Sequence, residues 1–596
     1  MLRRILLTLL IFCSVSARAA APAELNWEPW SDEVFQRAAR EHRFVLMDLE
    51  AVWCHWCHVM AETTYSDPAV RALIGERYIA VRVDQDSRPD ISRRYEQYGW
   101  PATVVFNADG TEIVKRRGYL PPELMVSMLK AIIADPSPVR YAEADAPKQF
   151  ATSPLLAAAA RKQLEQGFYS TYDPKLGAFR QNQKFIDRDT IEYGLLRASE
   201  GDMRAARMTR KTLDEALQLI DPVWGGGYQY STDGDWQHPH YEKIMSVQAA
   251  DIHAYTLGYL EFQDPRYLAA AGAIAGYVRN FLTAPDGAFY TSQDADLVPG
   301  QHSADFFALN DAERRKLGIP RVDRNRYARE NGWMIQALAS LYAATAERQY
   351  LDAAVKAANW IEANRSLAGG GFAHGATDPA GPYLEDTLSM GRAFLALYEV
   401  SAERKWLARA ESAADFIDAQ FRDAAQPGYV SARLAGALKL APVKTLDENI
   451  QLVLFNNLLA RYSGAERHQK AAQYAMRYLA TPQIALSALT NPGVLQAAQE
   501  LAIDPTHLTI VAHKDDAQAA ALFRAALSYP ASYRRIEWWD VREGRMPNAD
   551  VQYPELSKPA AFVCTNNTCS LPIFEPADIT ALAARAKPVS RVVAKN

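Results

Sequence analysis

Cysteine is scarce in this chain, with five in 596 residues, too few for a scaffold held together by disulfides. Positive charge is not in excess either. Lys+Arg number 65 against 70 Asp+Glu, a net charge of −5, whereas a surface built throughout for nucleic acid needs a strong basic footprint. Glycine (30) and proline (32) stand at ordinary levels, which excludes collagen-like and low-complexity chains. Beyond the N-terminus no stretch reaches the run of about 18 apolar residues that marks a membrane-spanning helix. What is present is an ordinary globular balance, 49% apolar and 23% charged, with length for several domains.

The N-terminus reads as a targeting signal. Arg3 and Arg4 precede an apolar run from Ile5 to about Val15, and Ala17-Arg18-Ala19 supplies the small residues a signal peptidase reads. The run is shorter than the about 20 residues of a bilayer span. Residues 1–20 are therefore expected to be a cleaved signal peptide, the protein periplasmic or secreted, and the mature chain without a membrane span. Cleavage removes Cys13 and three arginines, leaving 62 basic against 70 acidic residues. Four cysteines remain as two close pairs, Cys54/Cys57 and Cys564/Cys569, in a compartment where disulfides form.

The first pair carries the clearest chemistry. Phe44 to Leu49 is apolar apart from Asp48, the pattern of a buried strand, and W-C-H-W-C-H follows at once. A C-x-x-C after a strand and opening a helix reads as a dithiol redox site. The electropositive helix start favours thiolate at Cys54, the attacking species, and one helical turn returns Cys57 to resolve the mixed disulfide. His55 and His58 could tune the thiols by charge. Together with the cysteines they could also make half of a zinc site. No cofactor-binding motif accompanies the pair. A second strand over Tyr78–Asp84, a third over about 102–107 opened by Trp100-Pro101, a strand through Val114 and a helix over about 123–133 predict a mixed α/β domain over residues 24–134.

Asp48-x-x-Ala51-x-Trp53-Cys54-x-x-Cys57, with Pro101-Ala102-Thr103 downstream, resembles the thioredoxin superfamily. The wider strings W-C-H-W-C-H-V-M, V-D-Q-D-S-R-P-D and G-W-P resemble thioredoxin-domain proteins related to spermatogenesis-associated protein 20. The resemblance implies that Asp48 is the buried carboxylate relaying a proton for the resolving cysteine, and that Pro101 is a cis-proline facing the disulfide. The group's usual acidic pair before R-P-D is Asp86-Ser87 here.

After a Pro- and Ala-rich linker, residues 135–154, helical periodicity dominates residues 155–502, with about twelve helix candidates. A Gly-aromatic signal follows every second helix, its aromatics at Phe179, Tyr228, Phe289, Phe372 and Tyr429. Twelve helices make six hairpins, which predicts a closed (α/α)6 toroid with ligands in one funnel; an open solenoid is the competitor. The loops resemble those of the same group and of six-hairpin glycosidases and sugar epimerases. His240, Glu242 and Lys243 match the group's H-F-E-K-M box, Asp294 and Asp296 its D-A-D, and Glu385 and Asp386 its L-E-D. The resemblance implies ligand binding by these residues. Tyr228, Tyr230, Trp236 and Tyr383 could stack on sugar faces, although an aromatic after glycine more often packs. Carboxylates and histidines in loops also cap helices and satisfy turns.

Residues 503–596 predict a small α/β appendage. Cys564 and Cys569 flank a turn-rich T-N-N-T, a spacing that allows a local disulfide, as a static clip or a redox relay. The expected fold class is thus α/β plus α: a thioredoxin-like domain, an (α/α)6 six-hairpin toroid and the appendage. The favoured function is a secreted thiol–disulfide oxidoreductase acting on a protein disulfide or dithiol client, its ring holding that client or a carbohydrate. The alternatives are a carbohydrate-active ring enzyme with a regulatory or vestigial redox domain, and a non-catalytic scaffold or chaperone.

Overall fold

The computed structural model describes residues 24–141, 147–378, 380–433, 440–554, 556–565 and 568–583. The expected signal peptide, Cys13 included, lies outside the described residues. The first domain holds helix α1 (Asp32–Glu41), strand β1 (Phe44–Glu50), α2 (His55–Thr63), α3 (Pro68–Arg77), β2 (Tyr78–Asp84), α4 (Pro89–Tyr95), β3 (Ala102–Phe106), β4 (Glu112–Arg117) and α5 (Pro122–Ala134). Its sheet runs β2-β1-β3-β4, with β1 parallel to β2 and antiparallel to β3. Alternation along β1 sorts the core. Val45, Met47 and Leu49 face α1 and α4, while Leu46 faces the layer holding Met60, Ile74, Met125 and Leu129.

The middle domain is a closed ring. Its long helices are α6 (Ala158–Ser170), α7 (Arg188–Ser199), α8 (Met203–Ala216), α9 (Met245–Phe262) and α10 (Pro265–Phe281). Two short helices, α11 (Ala304–Phe307) and α12 (Asp311–Leu317), lie in an insertion. There follow α13 (Ala328–Thr345), α14 (Arg348–Arg365), α15 (Leu384–Ser401), α16 (Arg404–Phe421), α17 (Leu446–Ser463), α18 (Glu466–Leu479), the short α19 (Pro482–Ala485) and α20 (Pro492–Ala502). Helices α7, α9, α13, α15, α17 and α20 pack in succession, and α20 returns to α7. The other six long helices form an outer layer, and α6 completes the last hairpin by packing on α20. That closure is the toroid predicted from the sequence; an open solenoid has no such return contact.

The Gly-aromatic signals mark where an outer helix hands over to an inner one. Gly428 adopts φ +95°, and a Cβ there would meet Tyr478 at 2.9 Å. The turns are clamped in a repeated way. The fourth residue of an inner helix reaches back to the turn before it. Asn331 Oδ1 accepts the Phe289 N–H at 2.8 Å and its Nδ2 donates to the Phe289 carbonyl at 3.1 Å. Asn449 does the same to Tyr429, at 2.9 and 3.1 Å. Gln248 does it to Gly227, at 2.8 Å both ways. Thr387 accepts the Phe372 N–H at 3.1 Å.

The last domain packs on the end of the ring away from the first. Strand Thr506–Val511 lies between the parallel strand Arg534–Trp539 and the antiparallel strand Ala560–Thr565, which pairs in turn with Thr568–Cys569. With α21 (Ala517–Leu527) as the crossover and α22 (Pro576–Ala583) at the end, this repeats the strand order and the pairing directions of the first domain. A proline, Pro559, again precedes the third strand. Asp516 caps the crossover helix where Cys54 caps α2. Cys564 and Cys569 are Cα partners on adjacent strands and are disulfide-bonded, with Cα atoms 4.1 Å apart. Among the described residues no helix is long and apolar enough to cross a membrane.

Replacing Asn449 by Leu leaves a buried N–H and a buried carbonyl without partners. Denaturant unfolding is expected to show a loss of about 2–4 kcal/mol, and an unchanged stability would remove the clamp as a structural device.

Candidate functional site: an enclosed disulfide on the ring mouth

Cys54 is the N-cap of α2, and its sulfur accepts the Cys57 N–H at 3.2 Å. The pair is disulfide-bonded, with Cα atoms 5.3 Å apart. The Trp100–Pro101 bond is cis. Trp53, Trp100 and Ala51 pack around the sulfurs together with Ile244 of the ring, and Cys54 and Cys57 are each only 4% exposed. The ring therefore covers the disulfide.

Buried polar pairs join the two domains. Asp296 is gripped by both histidines of the motif: His55 Nδ1 lies 2.7 Å from its Oδ1, and His58 Nδ1 lies 3.1 Å from its Oδ2. The His55 N–H donates to Glu242 Oε1 at 3.4 Å. Burial would raise Asp296, but its hydrogen bonds to His55 and His58 outweigh this and hold it down at about 2. Asp294 lacks such bonds, and burial pushes it up to about 7. Burial opposes charge on His58, yet Asp296 and Asp294 lift it above the ordinary imidazole value. Further round the mouth, the Trp53 indole donates to Asp86 Oδ2 at 2.8 Å, and Arg329 of α13 reaches Asp86 Oδ1 at 3.4 Å. His374 bridges the domains, with Nε2 2.6 Å from the Asp86 carbonyl and Nδ1 2.9 Å from Asp386 Oδ1. Arg93 of α4 pairs with Glu385.

Behind this interface lies the lumen of the ring, a cavity of about 690 Å³. Trp53, Asp86, Arg93 and Trp100 of the first domain roof it, and Ala531–Arg534 of the last domain floor it. The six inner helices all start at the roof. Their electropositive ends explain why acidic residues gather there: Asp189 on α7, Glu330 on α13, Glu385 and Asp386 on α15, Asp447 and Glu448 on α17. Deeper in the wall stand Glu192, His253, Arg392, Gln451, Gln496 and Glu500. Burial raises Glu500 to about 8. Burial opposes ionisation of Glu192 too, but Arg188 beside it wins and Glu192 stays well below the usual range. Burial and ion pairing thus pull the carboxyl groups of the lumen in opposite directions.

Residues 13–135 match the family Thioredox_DsbH, described as a protein of unknown function, DUF255. The N-terminal domain is thioredoxin-like. The chain is similar to spermatogenesis-associated protein 20 of Mus musculus, 27% identical over 318 residues, which cover 46% of this chain and 39% of that protein. The matched stretch therefore spans well under half of that relative's length. The thioredoxin-like domain is also similar to the thiol:disulfide interchange protein DsbD of Ralstonia nicotianae, 30% identical over 103 residues, 17% of each chain. A solved structure of D-mannose isomerase covers 58% of this chain and 96% of its own at 14% identity, with a TM-score of 0.45.

The residues singled out in the sequence separate into groups. His55, His58, Glu242, Asp294 and Asp296 meet at the junction of the thioredoxin-like domain and the ring; Glu385 meets that domain on another side of the mouth, and Asp386 reaches it through His374. Of the expected ring ligands, Glu385 lines the lumen. His240 stacks on Tyr230, with ring centroids 4.5 Å apart. Lys243 is fully buried, its ammonium 2.7 Å from Asp221, which also binds Arg314 of the insertion; it serves the framework and does not reach the lumen. Tyr228, Trp236 and Tyr383 are buried, so they pack the structure and offer no exposed face to a sugar. Sequence reasoning missed Arg329 and His374, whose partners lie 243 and 288 residues away along the chain. It also missed the lumen's deep polar set, because polar residues on an inner helix look like its solvent face.

Asp48 is buried on β1, opposite Thr103 of β3. Burial pushes it up to about 6 against the pull of Arg82. The folded chain therefore holds this proton more tightly than the unfolded chain. The resulting stability is present at low pH and is lost as pH rises from about 4 through about 6. Asp48→Asn is expected to remove that slope and to add about 1–2 kcal/mol at pH 7. Urea unfolding at pH 4 and pH 7 checks this, and a variant less stable than wild type at pH 7 refutes it.

Proposed function

We propose that Cys54 and Cys57 exchange electrons with thiols and disulfides, and that the protein does so outside the cytoplasm. The observation that carries this reading is the Cys54 sulfur at the start of α2, accepting the Cys57 N–H at 3.2 Å, where thiolate is stabilised. In the reductive direction a dithiol thiolate attacks one sulfur of the pair. The S–S bond breaks, the displaced sulfur leaves as thiolate, and the second thiol of the reductant closes its own disulfide. With the cysteines 4% exposed, the docked arrangement suits a small thiol; a protein client requires the thioredoxin-like domain to lift from the ring. The arginine-led apolar leader and Ala17-Arg18-Ala19 support the periplasmic or secreted location.

A small dithiol is expected to reduce wild-type protein at least about tenfold faster than a protein dithiol of equal potential, because access limits the second reaction. Transfer to a small model disulfide is expected to disappear in Cys54→Ser. Wild-type turnover no higher than that of the variant removes the reading.

The lumen favours a second activity for the ring. A cavity of about 690 Å³ whose wall mixes carboxyl, amide and guanidinium groups with apolar and aromatic side chains suits a carbohydrate, which offers hydroxyls on its rim and apolar C–H faces. A thermal-shift panel of mono- and disaccharides is expected to give a stabilising hit that weakens in Glu192→Gln and Glu500→Gln. A panel without any shift refutes it.

A further inference from the structure

The junction between the redox helix and the ring holds an arrangement that exchange chemistry does not require. His58 of α2 stands between two carboxylates of the ring: its Nδ1 is 3.1 Å from Asp296 Oδ2, and its Nε2 is 3.7 Å from Asp294 Oδ2, beyond hydrogen-bond length. One ligand atom from each of His58, Asp294 and Asp296 can be chosen so that all lie within 4.8 Å of one another. A fourth group, independent of this triad, lies at the same junction, close enough for its charge to act on Asp294. Glu242 is 3% exposed. Its Oε1 meets the His55 N–H at 3.4 Å, while its Oε2 is buried without a hydrogen-bond partner among the described residues and lies 3.8 Å from His240 Nδ1. A buried carboxylate oxygen without a donor is costly unless something positive serves it.

We propose that His58, Asp294 and Asp296, with Glu242 as the fourth group, form a binding site for a divalent first-row cation of the zinc or manganese class. One imidazole nitrogen with carboxylate oxygens is the donor set such ions take, and calcium or magnesium would use oxygens alone. For the triad, movements of about an ångström would bring the ligand atoms to the roughly 2.0–2.2 Å that such bonds need. Two ligands come from the insertion that follows Ser292–Gln293, one from the loop before α9 and one from α2, so the ion ties the thioredoxin-like domain to the ring. This site is separate from the cysteines: its ligands are nitrogen and oxygen, and it forms while Cys54 and Cys57 are joined to each other.

The test is metal content and zinc titration on the full mature chain, with the disulfide intact. Wild type is expected to bind about one zinc per chain, through a nitrogen–oxygen shell without sulfur in X-ray absorption. The Cys54→Ser/Cys57→Ser double variant is expected to bind equally well. Asp294→Asn and Glu242→Gln are expected to weaken binding at least about tenfold each. Circular dichroism serves to confirm that these variants are folded, and should either fail to fold, the wild-type stoichiometry and absorption spectrum decide alone. Folded wild type that takes up neither zinc nor manganese overturns the proposal. So does zinc that is lost with the cysteines but kept in Asp294→Asn, since that ion belongs to the C-x-x-C. Because the readout is binding, failure of the exchange reaction leaves it untouched.

Discussion

Three of the carboxylates buried beneath the thioredoxin-like domain find their cations across the domain boundary. Asp296 of the ring is held by two histidines of the redox helix, Glu385 by Arg93, and Asp86 of the thioredoxin-like domain by Arg329. A buried ion deprived of its partner costs several kcal/mol, so docking is close to obligatory for both sides once these residues are in place. The same contacts seal the disulfide, set the roof of the lumen and place the two tryptophans beside the sulfurs at its top. The disulfide and the lumen thus share one polar interface.

The ring's own order rests on a more local constraint. Four of the six hand-overs from outer to inner helix are glycine-bearing turns whose backbone would be left short of partners inside the wall. An amide or hydroxyl on the fourth residue of the following helix supplies them, at Gln248, Asn331, Thr387 and Asn449. The aromatic beside the glycine fills the space beneath, so Tyr228, Phe289, Phe372 and Tyr429 are all buried. Inner helices therefore start in register and parallel, and their positive ends converge on the roof, which draws the carboxylates there.

Much of this was legible in the sequence, and the boundary of what was legible has a physical basis. The strand before the cysteines, the helix they open and the proline ahead of β3 are local patterns, and β2 runs over the predicted Tyr78–Asp84. The six-hairpin count followed from about twelve helix candidates, and the Gly-aromatic turns marked their pairing. Pairings over hundreds of residues were out of reach: nothing near His374 points to Asp86, and nothing near Asp296 points to His55. The burial of Lys243 and Trp236 was missed for the opposite reason. Polar and aromatic residues in a loop look available for ligands, and only the tertiary structure shows Asp221 and the Leu176 carbonyl consuming them. The kinship in topology between the first and last domains was hidden because strand order is not written in composition, and because Asp516 stands where the first domain has Cys54.

That kinship gives the ring two stoppers of one design, one at each mouth. Trp53 and Trp100 line the lumen at one end, and Tyr533 and Arg534 line it at the other. Whatever loosens either capping module therefore reshapes the wall of the lumen as well.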